Sequence, residues 1–199
     1  MKKISTLLSI LILSLTVWFS FSDLMPSSVK SIEHTGFSIN NALNHLKIIS
    51  EKPHYTSSKY HQDVQDYIVN ELNKMGLKTE IQNQVVLNSR RVATNAANII
   101  GTIKGSRKGK SLVLLTHYDS SAHSSFGASD AGSGVVTILE GFRVFLLNNK
   151  TPINDIHLVF TDAEEMGLLG AEAFVKNHKL IDNVGLVLNF EARGSGGPV

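Results

Sequence analysis

Apolar residues at Ile39, Ala42, Leu43, Leu46 and Ile49 recur at the spacing of one helical face, so residues 38–50 read as an amphipathic helix that Pro53 ends. Residues 58–75 repeat the pattern with Val64, Ile68, Leu72 and Met75, and Gly76 follows where a helix C-cap is wanted. Residues 77–87 alternate loosely and predict a strand. Residues 98–104 and 111–116 predict two more, separated by a turn at residues 105–109. The run Leu112-Val113-Leu114-Leu115 is apolar without alternation, the mark of a strand buried on both faces. A helix over 132–147, a second buried strand over 156–161, a helix over 168–177 and a third buried strand over 184–190 complete the pattern. Strands alternating with helices predict an α/β fold, three-layer α/β/α with a mixed, largely parallel central sheet.

The N-terminus departs from this rhythm. Met1-Lys2-Lys3 is a basic head, and residues 7–21 form an apolar run broken only by Ser and Thr. That is the layout of an export signal, with the apolar body short for a full bilayer span of roughly 20 residues. Residues 1–22 are therefore read as a signal peptide or an uncleaved signal anchor, which puts the remainder outside the cytoplasm, with membrane anchoring expected. Residues 23–36, with Pro26 and a Ser pair, read as a tether, and 37–199 as the exported α/β portion.

Charge changes the picture little. The 19 basic and 17 acidic side chains leave a net +2 with no clustered basic footprint, which speaks against a nucleic-acid partner. The absence of cysteine matters more, because it removes thiolate nucleophiles, disulfides and thiolate zinc sites. Any metal here is held by imidazole and carboxylate.

Such a site is visible at the strand ends, where ligands bind in open α/β sheets. His117-Tyr118-Asp119 follows one buried strand, Asp162, Glu164 and Glu165 follow the next, and Glu191 follows the third. Carboxylates converging on one edge repel unless a cation compensates, and a histidine among them suits zinc. Asp119 stands two residues past His117, placed to fix the tautomer of a metal-bound imidazole. Asp130 opens a Gly-rich helix entry and can point back at the strand ends, where small residues leave room for substrate.

The blocks His117-Tyr118-Asp119-Ser120, residues 127–134 around Asp130, Phe160-Thr161-Asp162-Ala163-Glu164-Glu165 with Gly167-Leu168-Leu169-Gly170, and Asn189-Phe190-Glu191-Ala192-Arg193-Gly194 occur in one order. Together they resemble the di-zinc exopeptidases related to aminopeptidase Y, especially the vacuolar membrane protease and endoplasmic reticulum metallopeptidase branch. The resemblance implies two zinc ions per complete domain, with His117 and Glu191 on the first, Asp130 bridging, and Glu165 on the second. It implies Glu164 as general base, Asp119 as the histidine orienter, and a cis bond between Asp130 and Ala131. The reaction implied is hydrolysis of a peptide substrate, as in an aminopeptidase, by a water activated between the metals. Glu191, where soluble members usually carry aspartate, supports the membrane-bound branch.

The resemblance also implies a later histidine ligand and further strands, and no histidine follows Glu191. His123, His157 and His178 come too early, although His123 could line the entrance. This stretch is thus expected to be the N-terminal part of a longer domain whose C-terminal part, with any membrane spans there, is missing, and to be inactive alone. Two other functions share the fold: a glutaminyl-cyclase-like transferase using one zinc, and a receptor-type binding domain without catalysis. The intact Glu164-Glu165 pair and first-zinc set favour the peptidase.

Overall fold

In the computed structural model the described residues are 2–24, 36–123, 125–148 and 150–192. The tether expected at 23–36 and the Arg193-Gly194 end of the last motif lie largely outside them. Helix α1 (Lys2–Leu24) forms one unit, and the α/β domain forms another. Every described side chain of α1 from Ile4 to Ser22 is exposed, so it is not a core helix. Its 19-residue apolar stretch Ile4–Ser22 is long and apolar enough to cross a membrane, longer than the run read from the sequence.

The domain contains α2 (Ile39–Ile49), α3 (Lys59–Lys74), β1 (Lys78–Leu87), β2 (Ala93–Ile103), β3 (Ser111–His117), α4 (Ser133–Leu147), β4 (Ile156–Thr161), α5 (Leu169–Asn177) and β5 (Val184–Asn189). Ser38 and Ser58 cap α2 and α3 by accepting the N–H groups of Asn41 and His61, each at 3.2 Å. Gly76, at φ 77°, ends α3 in the left-handed turn expected of it.

The sheet runs β1-β2-β4-β3-β5 and is mixed: β4, β3 and β5 are parallel, while β1, β2 and β4 pair antiparallel. The parallel half follows from the helical crossovers through α4 and α5. The antiparallel half follows from the short turn between β1 and β2, which can only reverse the chain. Strand β2 starts at Ala93, five residues before the apolar signal, because its first half pairs with β1 as a hairpin arm.

Alternation divides the core. Ile99, Leu158 and Phe160 meet Ile49, Ile68, Leu72 and Leu139 on one face, while Ile100, Val113 and Val159 meet Phe174 of α5 on the other. Strand β5 corrects the reading of a third buried strand. It pairs with β3 on one side only among the described residues, and Leu186, Val187 and Leu188 are 56%, 47% and 43% exposed.

The glycines after Asp130 also have a different job from the one inferred. A Cβ at Gly134 would stand 2.4 Å from the Thr116 hydroxyl and 2.7 Å from the Phe190 carbonyl, so Gly134 lets α4 close on the strand ends. Gly134→Ala is expected to destabilise the domain by about 1–3 kcal/mol through overpacking. Gly141→Ala, at a position of α4 with nothing within 4 Å of a Cβ, is expected to be neutral or to stabilise by about 0.5–1 kcal/mol. Equilibrium denaturation of the two variants checks the contrast.

Candidate metal centre

The site begins with the last residue of β3. Backbone pairing continues through His117, opposite Thr161, so the imidazole is fixed by the sheet rather than carried on a loop. Its ring is 2% exposed. Nε2 faces Asp130 Oδ1 at 2.9 Å, Glu191 Oε1 at 3.5 Å and Glu164 Oε2 at 3.9 Å. Nδ1 faces the backwards side, 3.0 Å from the carbonyl oxygen of Asp119 and 3.4 Å from its carboxylate.

Asp119 thus stands beside Nδ1, where the resemblance put an orienter, and its nearer contact to the ring is main-chain. Its carboxylate, fully buried, is engaged elsewhere: it accepts the N–H groups of Glu164 at 3.0 Å and Glu165 at 3.2 Å. One aspartate thus sets both the ring plane of His117 and the position of the acidic loop after β4.

Asp130 enters from the other side. Residues Ala128–Gly132 make one irregular helical turn in which Asp130 itself is extended, at φ −110° and ψ 102°. The Asp130–Ala131 peptide bond is cis, as the resemblance implied. Glu191 follows β5 directly. Among the described residues, His117, Asp130 and Glu191 are the one group of three ligating side chains whose donor atoms lie within 4.8 Å of one another.

Glu165 is not in that group. Its side chain lines an adjoining cavity of about 510 Å³, together with Asp119, Thr56, Arg90 and His123. His123 thus lines this cavity, while the group of three candidate ligands does not include it. His157 is buried in β4 against Thr102, and His178 stacks on Phe174, so neither approaches the site. Asp162, grouped with the strand-end carboxylates in the sequence, points away from the cluster and is bonded to His61 and Thr56 instead. Sequence reasoning missed those two residues. His61 carried a signal, since it shares the buried stripe of α3 with Val64, Ile68 and Leu72; Thr56, in an irregular loop, carried none.

Electrostatics follow from this crowding. Burial alone would hold the His117 imidazolium down, but the hydrogen bond and charge of Asp119, with Glu164 and Glu191, outweigh it and push it up to about 9. Burial raises Glu164; the charges of Asp119, Glu191 and Asp130 add to this, against the pull of His117. Burial and then the charge of Asp130 raise Glu165 in the same way. An excess of carboxylate around one imidazole is a donor set suited to a divalent cation, and nitrogen with oxygen ligands is a set zinc accepts. With Nδ1 held by Asp119, Nε2 is the nitrogen such an ion would take.

A family model described as Peptidase family M28 matches residues 98–199. The vacuolar membrane protease of Schizosaccharomyces pombe is 30% identical over 201 residues, covering 94% of this chain and 23% of that protein. The chain thus spans about a quarter of the length of the curated relatives it matches. Among solved structures, glutaminyl cyclase of Porphyromonas gingivalis superposes with a TM-score of 0.68 at 22% identity, over 77% of this chain and 58% of that one. A Zn-dependent exopeptidase of Parabacteroides distasonis gives 0.64 at 24% identity, over 78% and 61%. These structural likenesses establish the fold.

Zinc taking Nε2 has to displace the proton that His117 carries below pH about 9. Apparent zinc affinity of the metal-free chain is therefore expected to rise about tenfold per pH unit between pH 7 and 8, levelling above the His117 pKa. Competition titrations with a chelator measure the slope. A flat profile would show that His117 is not a ligand, and His117→Asn is expected to abolish the rise.

Proposed function

This chain belongs to peptidase family M28, and from that membership we propose that it carries the metal-binding front half of a zinc-dependent exopeptidase site, in which Glu164 is the general base. The observation that carries the reading is the position of His117 Nε2, which faces Asp130, Glu164 and Glu191 while Asp119 secures the opposite nitrogen.

In this reading His117, Asp130 and Glu191 would hold a first zinc, and Asp130 and Glu165 would contribute to a second. Asp130 and Glu165 supply only part of the second site. Bound zinc supplies an acidified water and polarises the scissile carbonyl of a peptide. Glu164 takes a proton at its carboxylate and returns it to the leaving amine. Burial raises its pKa, the direction that makes a carboxylate a stronger base. Asp119 holds the Glu164 main chain, so the base is presented at a set distance from His117.

The names of the relatives support a protease of membranes, and the apolar α1 supports attachment through a signal anchor or delivery by a signal peptide. In either case the α/β domain faces outside the cytoplasm. Release of the N-terminal residue is the proposed exopeptidase activity. The glutaminyl cyclase likeness keeps one competing chemistry in view: cyclisation of an N-terminal glutamine without hydrolysis.

In the full-length protein, Glu164→Gln is expected to retain zinc and lose about 10²–10⁴-fold in kcat on peptides with a free N-terminus. Parent-level turnover in the purified variant would remove Glu164 from its role. Pyroglutamate formation in place of amino-acid release would favour the transferase. Because the chain has no cysteine, a single one introduced at Lys108 reports orientation: it is expected to react with an impermeant maleimide in intact cells. Labelling only after permeabilisation would place the domain inside.

A further inference from the structure

Behind the acidic cluster lies a second set of polar side chains that the proposed chemistry does not use. Asp162, at the end of β4, is fully buried. Its Oδ1 accepts from His61 Nε2 at 2.8 Å, from the Thr56 hydroxyl at 3.0 Å and from the Ala163 N–H at 2.6 Å. Its Oδ2 accepts the Ala97 N–H at 2.9 Å. Every neighbour donates, so both oxygens act as acceptors, the role of an ionised carboxylate. A buried carboxylate is retained only when its lone pairs are met in this way.

Two buried carboxylates thus grip the two ends of one short loop. Asp162 holds the amide of Ala163, whose backbone is left-handed at φ 53°, an unfavourable conformation for a residue with a side chain. Asp119 holds the amides of Glu164 and Glu165. Among the described residues Thr56 is the side chain within hydrogen-bond distance of both: its single hydroxyl proton is shared between Asp162 at 3.0 Å, the shorter contact, and Asp119 at 3.4 Å. Without a donor between them the two anions would repel and spread the loop.

His61 supplies a second contact to Asp162, at 2.8 Å, and is itself locked. Its ring stacks on Tyr118 at 4.9 Å and 19°, and the Tyr118 hydroxyl donates to the carbonyl of Ala97, the residue whose N–H binds Asp162. Tyr118 is the neighbour of His117 in sequence. A continuous set of bonds therefore runs from α3 through His61, Asp162, Thr56 and Asp119 to both His117 and the loop bearing Glu164 and Glu165.

We propose that Thr56 and His61 are positioning residues for the site: by holding Asp162 and Asp119 together they set where Glu164 and Glu165 stand relative to His117. Neither belongs to the group of candidate metal ligands, although Thr56 also lines the adjoining cavity, and the effect on turnover rests on the zinc peptidase reading above. Loss of a side chain bonded directly to a metal ligand, as Asp119 is to His117, commonly costs about 10–100-fold in affinity or activity, and displacing Asp119 through Thr56 is expected to approach that range.

The test compares Thr56→Val, Thr56→Ser and His61→Phe in the full-length protein. Thr56→Val and His61→Phe are expected to lower kcat and zinc affinity by about 10–100-fold, with KM within about twofold. Thr56→Ser, which restores the hydroxyl, is expected to recover most of the loss. In the 199-residue chain, amide exchange at Glu164 and Glu165 is expected to accelerate in Thr56→Val while Ile99 and Leu158 keep their protection. Unchanged kcat, zinc affinity and local exchange, or exchange rising equally through the core, would overturn the positioning role and leave a purely structural one. A parent protein that binds no zinc and cleaves no peptide would instead sink the peptidase reading, and the exchange comparison would still decide the loop assignment. Should His61→Phe fail to fold, the Thr56 pair decides alone.

Discussion

The carboxylate of Asp119 is the interaction on which the rest of the site depends. It sits at the end of β3 with no exposure and accepts the amides of Glu164 and Glu165 from the neighbouring strand's loop. The same residue faces Nδ1 of His117. Geometry that would otherwise need three independent constraints is thus reduced to one buried residue. Burial makes the arrangement stiff, because an acceptor left without its donors in a low-dielectric interior is costly.

The fold explains why those residues meet at all. Strands β3 and β4 are parallel and in register up to His117 opposite Thr161, so their C-terminal ends coincide. Strand β5 lies on the far side of β3 and delivers Glu191 to the same edge. Helix α4 starts there too, with Gly134 close enough to Thr116 and Phe190 to bring Asp130 over His117. Four segments distant in sequence converge because parallel strands share one carboxyl edge, the general location of ligand sites in open α/β sheets.

Convergence has an electrostatic consequence. His117 is pushed up to about 9 and Glu164 and Glu165 are raised, so the cluster holds protons more tightly than isolated side chains do. Perturbation of this kind in a cleft marks a site prepared for a cation or for proton transfer. The adjoining cavity of about 510 Å³, with Glu165 and Arg90 of the β1–β2 turn in its lining, lies beside it.

Most of the elements, the α/β class and the residues of the cluster were legible in the sequence. Apolar runs in Leu112–Leu115 and the residues of β4 reflect burial on both faces, and local chemistry alone places His117 and Glu164 after such strands. The exposure of β5 was not legible, because its apolar run records composition and not what covers it. Nor could the sequence separate Asp162 from Glu164 and Glu165, which differ by two or three positions on one loop. Only the left-handed turn at Ala163 sends Asp162 inward to His61 and Thr56 while its neighbours face the site. Contacts spanning about a hundred residues decide that orientation, and local patterning, which reads a few positions at a time, carries no trace of them.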